Sequence, residues 1–106
     1  MEIINLTAND VVLINGNEKQ VIPSSGTAKC SVTSTVIDYR FGYPVCETRY
    51  GEITGVPEPE LGKIFIVSSI VGQAMKNKKR NDIFVVKDII RDKDGHIIGC
   101  RRLARV

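Results

Sequence analysis

No stretch of this sequence approaches the ~20 consecutive apolar residues that a bilayer-spanning helix needs. The opening Met1-Glu2-Ile3-Ile4-Asn5 has neither the basic start nor the apolar centre of a secretory leader. A cytoplasmic protein is therefore expected. Histidine occurs once, at His96, and cysteine three times, at Cys30, Cys46 and Cys100, with no C-x-x-C. An odd, widely spaced set is a poor disulfide framework. A tetrahedral zinc centre would need all three cysteines and His96 together; three reduced cysteines packed as small apolar residues are the simpler reading. Neither G-x-x-x-x-G-K-[ST] nor G-x-G-x-x-G is present, so the two common nucleotide-loop signatures are missing. Cys46 has no histidine near it in sequence, and His96 adjoins the Asp94-Gly95 turn. Nothing pairs a nucleophile with a base. No metal, no cofactor and no catalytic residue are expected.

What is there describes one domain, residues 1–106. The chain is 42% hydrophobic and 25% charged, with a net charge of +3. At this length folding buries roughly two thirds of the unfolded chain's surface, enough for one core. Val11 to Ile14 is a β-branched run closed by Asn15-Gly16-Asn17, and Gln20 to Ile22 returns from it, which reads as a hairpin. Ala28 to Ile37 and Val45 to Thr54 read as strands on either side of the aromatic, Gly- and Pro-broken segment Tyr39 to Pro44. Gly55 to Glu60 holds two prolines and reads as a loop. Lys63 to Val67 is a buried strand, and Ser68-Ser69 opens a helix over residues 69–78. Its apolar face would be Ile70, Val71, Ala74 and Met75. Gly72 within it costs ~1 kcal/mol relative to Ala and implies close packing or a short helix. Ile83 to Ile90, the turn Asp92 to Gly95, and His96 to Leu103 form a second hairpin. The expected fold is α+β: a small β-rich barrel or curled antiparallel sheet with one helix.

Four constellations are candidates for binding. Ser68 and Ser69 sit at a helix entry, where free amides favour anions, although plain N-capping needs no ligand. Arg49, Tyr50 and Gly51 combine a planar cation, a stacking face and room for close approach; a strand with alternating exposed charge explains them equally. Lys76 to Arg80 carries four positive charges in five residues, followed by Asp82; an Arg80–Asp82 pair is either structural or orients Arg80 toward an anion. Arg101, Arg102 and Arg105 form a last basic group. Tyr43 is a second stacking candidate. Either basic cluster could meet nucleic-acid phosphates or simply be solvated.

The segments Glu47 to Pro59 (ETRYGEITGVPEP), Ile66 to Val71 (IVSSIV), Arg80 to Ile83 (RNDI) and Arg91 to Cys100 (RDKDGHIIGC), with Ile3-Ile4-Asn5-Leu6-Thr7, resemble a family of small uncharacterised bacterial and phage proteins. That resemblance transfers no catalytic residue and implies a bacterial cell or phage-infected host. Small phage proteins without catalytic machinery often act by binding, and some sequester nucleotide signals of bacterial immunity. The expected function is therefore a non-enzymatic binding protein for a small anionic, nucleotide-like ligand, of the sponge type. Arg49, Tyr50, Gly51, Ser68, Ser69, Arg80, Asp82 and Tyr43 are its candidate contacts. A homo-oligomer is expected, since a site between subunits would let two copies close around the ligand. The alternatives are a nucleic-acid or protein-interaction module using the basic clusters, and a small nucleotide-processing enzyme.

Overall fold

The computed structural model describes residues 1–106. It shows eight strands and one helix: β1 (Glu2–Asn5), β2 (Val11–Asn15), β3 (Glu18–Ile22), β4 (Lys29–Arg40), β5 (Tyr43–Thr54), β6 (Lys63–Ile66), α1 (Ser69–Met75), β7 (Ile83–Arg91) and β8 (Ile97–Arg105). Six strands make one curled, half-barrel-like sheet in the order β1-β6-β7-β8-β2-β3. The expected β-rich α+β architecture is thus present. Strand directions are mixed: β6 runs parallel to both β1 and β7, and β2 meets β8 in parallel, while β2–β3 and β7–β8 are antiparallel. The parallel β6–β7 pair requires a crossover, and α1 supplies it. No helix is long and apolar enough to cross a membrane.

Asn5 closes the curl. It is fully buried, and its amide donates to the carbonyls of Asn9 (2.8 Å) and Ile22 (2.9 Å). Its side-chain oxygen accepts from the Thr7 amide (2.9 Å) and the Thr7 hydroxyl (2.6 Å). Its main-chain carbonyl accepts from Ser25. One residue thereby joins β1 and the end of β3, the two edges of the sheet.

The core lies on both sheet faces, as strand alternation dictates. Phe65 and Val67 face α1, with Leu6, Val71, Met75 and Ile83. Ile66 faces the opposite way, with Val11, Ile22 and Cys100. The helix is three residues shorter than the pattern predicts and turned by about one position: Val71, Gly72 and Met75 are buried, while Ile70 is half exposed. Gly72 is the cause. A Cβ there would stand 2.6 Å from a Val85 methyl, so the bare backbone lets α1 settle directly on β7. Beyond Met75 the chain offers Lys76-Asn77-Lys78-Lys79, with no apolar group to bury, and Lys79 turns left-handed at φ 56°.

β4 and β5 form a separate two-stranded ribbon, residues 29 to 54. The segment Tyr39 to Pro44, a break by its sequence, is instead the tip of this ribbon. Both strands run through it to a two-residue turn at Phe41-Gly42, each with positive φ (49° and 82°). That is the twist-matched hairpin turn, and Pro44 is tolerated because a ribbon strand has a free edge. The radius of gyration is 16.3 Å, against about 13 Å for a compact domain of this length; the difference reflects this protruding arm.

Two stability outcomes are expected. Gly72→Ala should lower stability by about 1–3 kcal/mol through overpacking on Val85, despite alanine's better helix propensity. Asn5→Ala should cost about 2–4 kcal/mol, because it strands the Ile22 and Asn9 carbonyls. Urea-denaturation midpoints check both, and a Gly72→Ala protein as stable as the parent would refute the packing account.

Candidate functional site

The residues proposed from sequence fall into three places. Ser68 and Ser69 stand at the start of α1. Ser68 Oγ accepts from the Val71 amide at 3.3 Å, the ordinary N-cap bond. Both serines border an apolar cleft of ≈ 480 Å³, walled by Val12, Val67, Val85 and Ile98 and containing no basic residue. Arg49 lies half-way along the arm, paired with Glu47 at 3.6 Å. Tyr43 is at the arm's tip, 74% exposed. Arg80 follows the helix, and a helix of seven residues spans ~10 Å. Ser68 and Arg80 therefore occupy opposite ends of α1, and Arg49, Ser68 and Arg80 do not share a pocket.

Tyr50, Gly51 and Arg80 do meet. They line one open groove of ≈ 450 Å³ with Glu52, Val56, Ala74 and Lys78. One wall is the root of the arm, where Cys30 and Ile53 pack on the helix side of the core. The other is the end of α1 and the basic segment after it. The β4–β5 register shifts between Cys30 and Val32, so that Gly51 and Glu52 form a bulge opposite Ser31. Such bulges bend a ribbon and re-aim its side chains. Gly51 leaves room there for the Ser31 hydroxyl: a Cβ would lie 1.9 Å from Ser31 Oγ and would require that side chain to rotate away. The close approach that glycine permits is made by Ser31.

Arg80 is held firmly. Its Nε and one terminal nitrogen each donate to Asp82, both at 2.8 Å, and both side chains are largely buried (15% and 9% exposed). Asp82 orients Arg80 through this fork-to-fork geometry. The Arg80 hydrogen bond draws the Asp82 carboxyl below the ordinary carboxylate range, and the same bond raises Arg80 further. Lys78 is exposed beside Arg80. Nothing in the sequence separates it from the other lysines of its run; only the helix end selects it.

The cysteines are dispersed: Cys30 at the arm root, Cys46 on the arm, Cys100 buried in the sheet, where burial raises its thiol pKa. Asp92, Asp94 and His96 bring ligand atoms within 4.8 Å of one another. Asp92 Oδ1 there accepts from the amides of Asp94 and His96, both at 2.9 Å, so the group is the turn of the β7–β8 hairpin.

Because the folded pKa of Asp82 lies below its unfolded value, the Arg80–Asp82 pair stabilises above about pH 4 and loses that contribution as pH falls through the folded value. Asp82→Asn should cost about 2 kcal/mol at neutral pH and flatten the acid limb of the stability curve. Denaturation midpoints across the acid range test this; a limb equally steep in both proteins would contradict it. Compared with protein-family models, curated proteins and solved structures, the chain finds no match, so its functional reading rests on this geometry.

Proposed function

We propose that the protein is a non-enzymatic binder of a small anionic, nucleotide-like ligand, held in the groove between the arm root and the segment after α1. The observation that carries this reading is the convergence of Tyr50 on one cleft with Lys78 and Arg80, which lie far from it in sequence. The cleft's volume lies within the range of small-molecule sites. Tyr50 offers a ring on which a base can stack. Lys78 and the remaining donors of Arg80 offer charge to a phosphate, and the Asp82 clamp reduces the entropy lost when Arg80 engages a ligand. Glu52 is the groove's single carboxylate, and His96 lies outside it, which favours binding over turnover. In the bacterial or phage setting that the resemblance implies, such a binder fits the role of a sponge for a nucleotide immune signal.

The nucleic-acid alternative draws less support. Of the two basic clusters that it would use, Arg102 is paired with Asp88, and Lys78 and Arg80 line the groove.

Calorimetry with cyclic dinucleotides and ADP-ribose derivatives, together with mass spectrometry of small molecules released on denaturation, tests the proposal. Binding of at least one probe is expected, weakened tenfold or more by Lys78→Glu and by Tyr50→Ala. Absence of binding across the set, or affinity indifferent to both substitutions, would refute it.

A further inference from the structure

The arm has two chemically different faces, and the register assigns them. Val32 stands opposite Tyr50, Val36 opposite Cys46, and Tyr39 opposite Pro44. Thr33 pairs with Arg49, Thr35 with Glu47 and Arg40 with Tyr43. Without interruption, the two-residue period would turn Tyr39 to the second set. The irregularity between Val36 and Asp38 inserts one extra residue, Ile37, and returns Tyr39 to the first. The first face is therefore uncharged and mainly apolar, with the hydroxyl pair Ser34–Thr48 between its valines. It begins at Cys30 and Ile53, which pack on the core, and runs outward uncovered. The second face carries the ion pairs Arg40–Asp38 and Arg49–Glu47.

This arrangement is unfavourable for an isolated chain. A two-stranded ribbon by itself is marginal in water. Tyr39 and Tyr50 on this face are 66% and 42% exposed and Phe41 at the tip is 100% exposed, roughly 400 Å² of aromatic surface at ~200 Å² per side chain. Val32 and Val36 on the same face are also exposed. Monomers rarely leave more than a few hundred Å² of contiguous apolar surface open, and a standard interface takes about 800 Å² from each partner. Phe41 adds a second cost, because it is a fully exposed aromatic in left-handed backbone.

We propose that the arm is a homodimerisation element: two copies pack the Val32–Val36–Tyr39 faces of their arms together in a two-fold, two-layer β-sandwich. A second copy is the fitting occupant for three reasons. The stripe holds no charge that would select an unlike partner, and self-packing brings no like charges together. The ion-paired face is left outward, in water. The aromatic surface alone supplies about half of the ~800 Å² that a two-fold interface of standard size takes from each partner. With the arms antiparallel, each Phe41 tip reaches the root of the other arm, and Cys46 lies near the middle of the contact. The surface shares Tyr50 with the ligand groove, and its test does not depend on ligand binding.

Sedimentation of the full chain over a concentration series tests this. The parent protein should approach twice the 11.7 kDa chain mass. Val36→Asp should raise the dimer dissociation constant at least 100-fold, and Tyr39→Arg should act the same way. Thr35→Asp, one residue away on the outward face, should leave it within a few-fold. Circular dichroism checks that each variant keeps its fold. Labelling of Cys46 should slow as protein concentration rises in the parent and in Thr35→Asp, and not in Val36→Asp. A parent that sediments as a monomer throughout would overturn the proposal, including one that captures an unrelated protein through the arm. So would a dimer equally weakened, or equally untouched, by the variants of both faces.

Discussion

The fully satisfied amide of Asn5 holds the fold in its curled form. A six-stranded sheet has two free edges, and here β1 and the end of β3 are brought together by one buried side chain. A buried amide with unmet partners would be costly; with its donors and acceptor all engaged it specifies a single arrangement. The chain then leaves the closure directly for the arm, since the Ala28 amide donates to the Leu6 carbonyl. The position of the arm root, and hence one wall of the groove, follows from that closure.

The other wall depends on the helix. Gly72 brings α1 onto Val85 at a distance that no side chain would allow, and the helix stops where apolar residues stop. The chain emerging at Lys76 must then turn to rejoin the sheet as β7. It passes the arm root and sets Lys78 and Arg80 against Tyr50 and Gly51. Asp82, just before β7, fixes Arg80 in that place. Backbone packing positions the cations, and electrostatics only holds one of them still.

The arm obeys a different logic from the body. Its two strands pair only with each other, each leaving one edge free, and they bury little. Two irregularities of register maintain it: one at the root re-aims Gly51 and Glu52, and one near the tip keeps Tyr39 on the apolar side. The uncharged face kept by this second irregularity is the one that the proposed self-association would cover. Its neutrality and the charged reverse face are consistent with a like partner.

Strand-rich composition, both Gly-containing hairpins of the sheet, the Ser68 cap and the Arg80–Asp82 pair are legible along the linear chain. These are local properties: turn chemistry, two-residue alternation and capping act within a few residues. The length of the ribbon is hidden there, because Gly42 and Pro44 read as breaks although a tight turn uses one and a free edge tolerates the other. The remainder required folding in three dimensions. Mixed strand order depends on long-range pairing. The length of a helix separates Ser68 from Arg80, and the alternation of a strand separates Arg49 from Tyr50. Packing joins Tyr50 to Lys78 across segments that share no local signal.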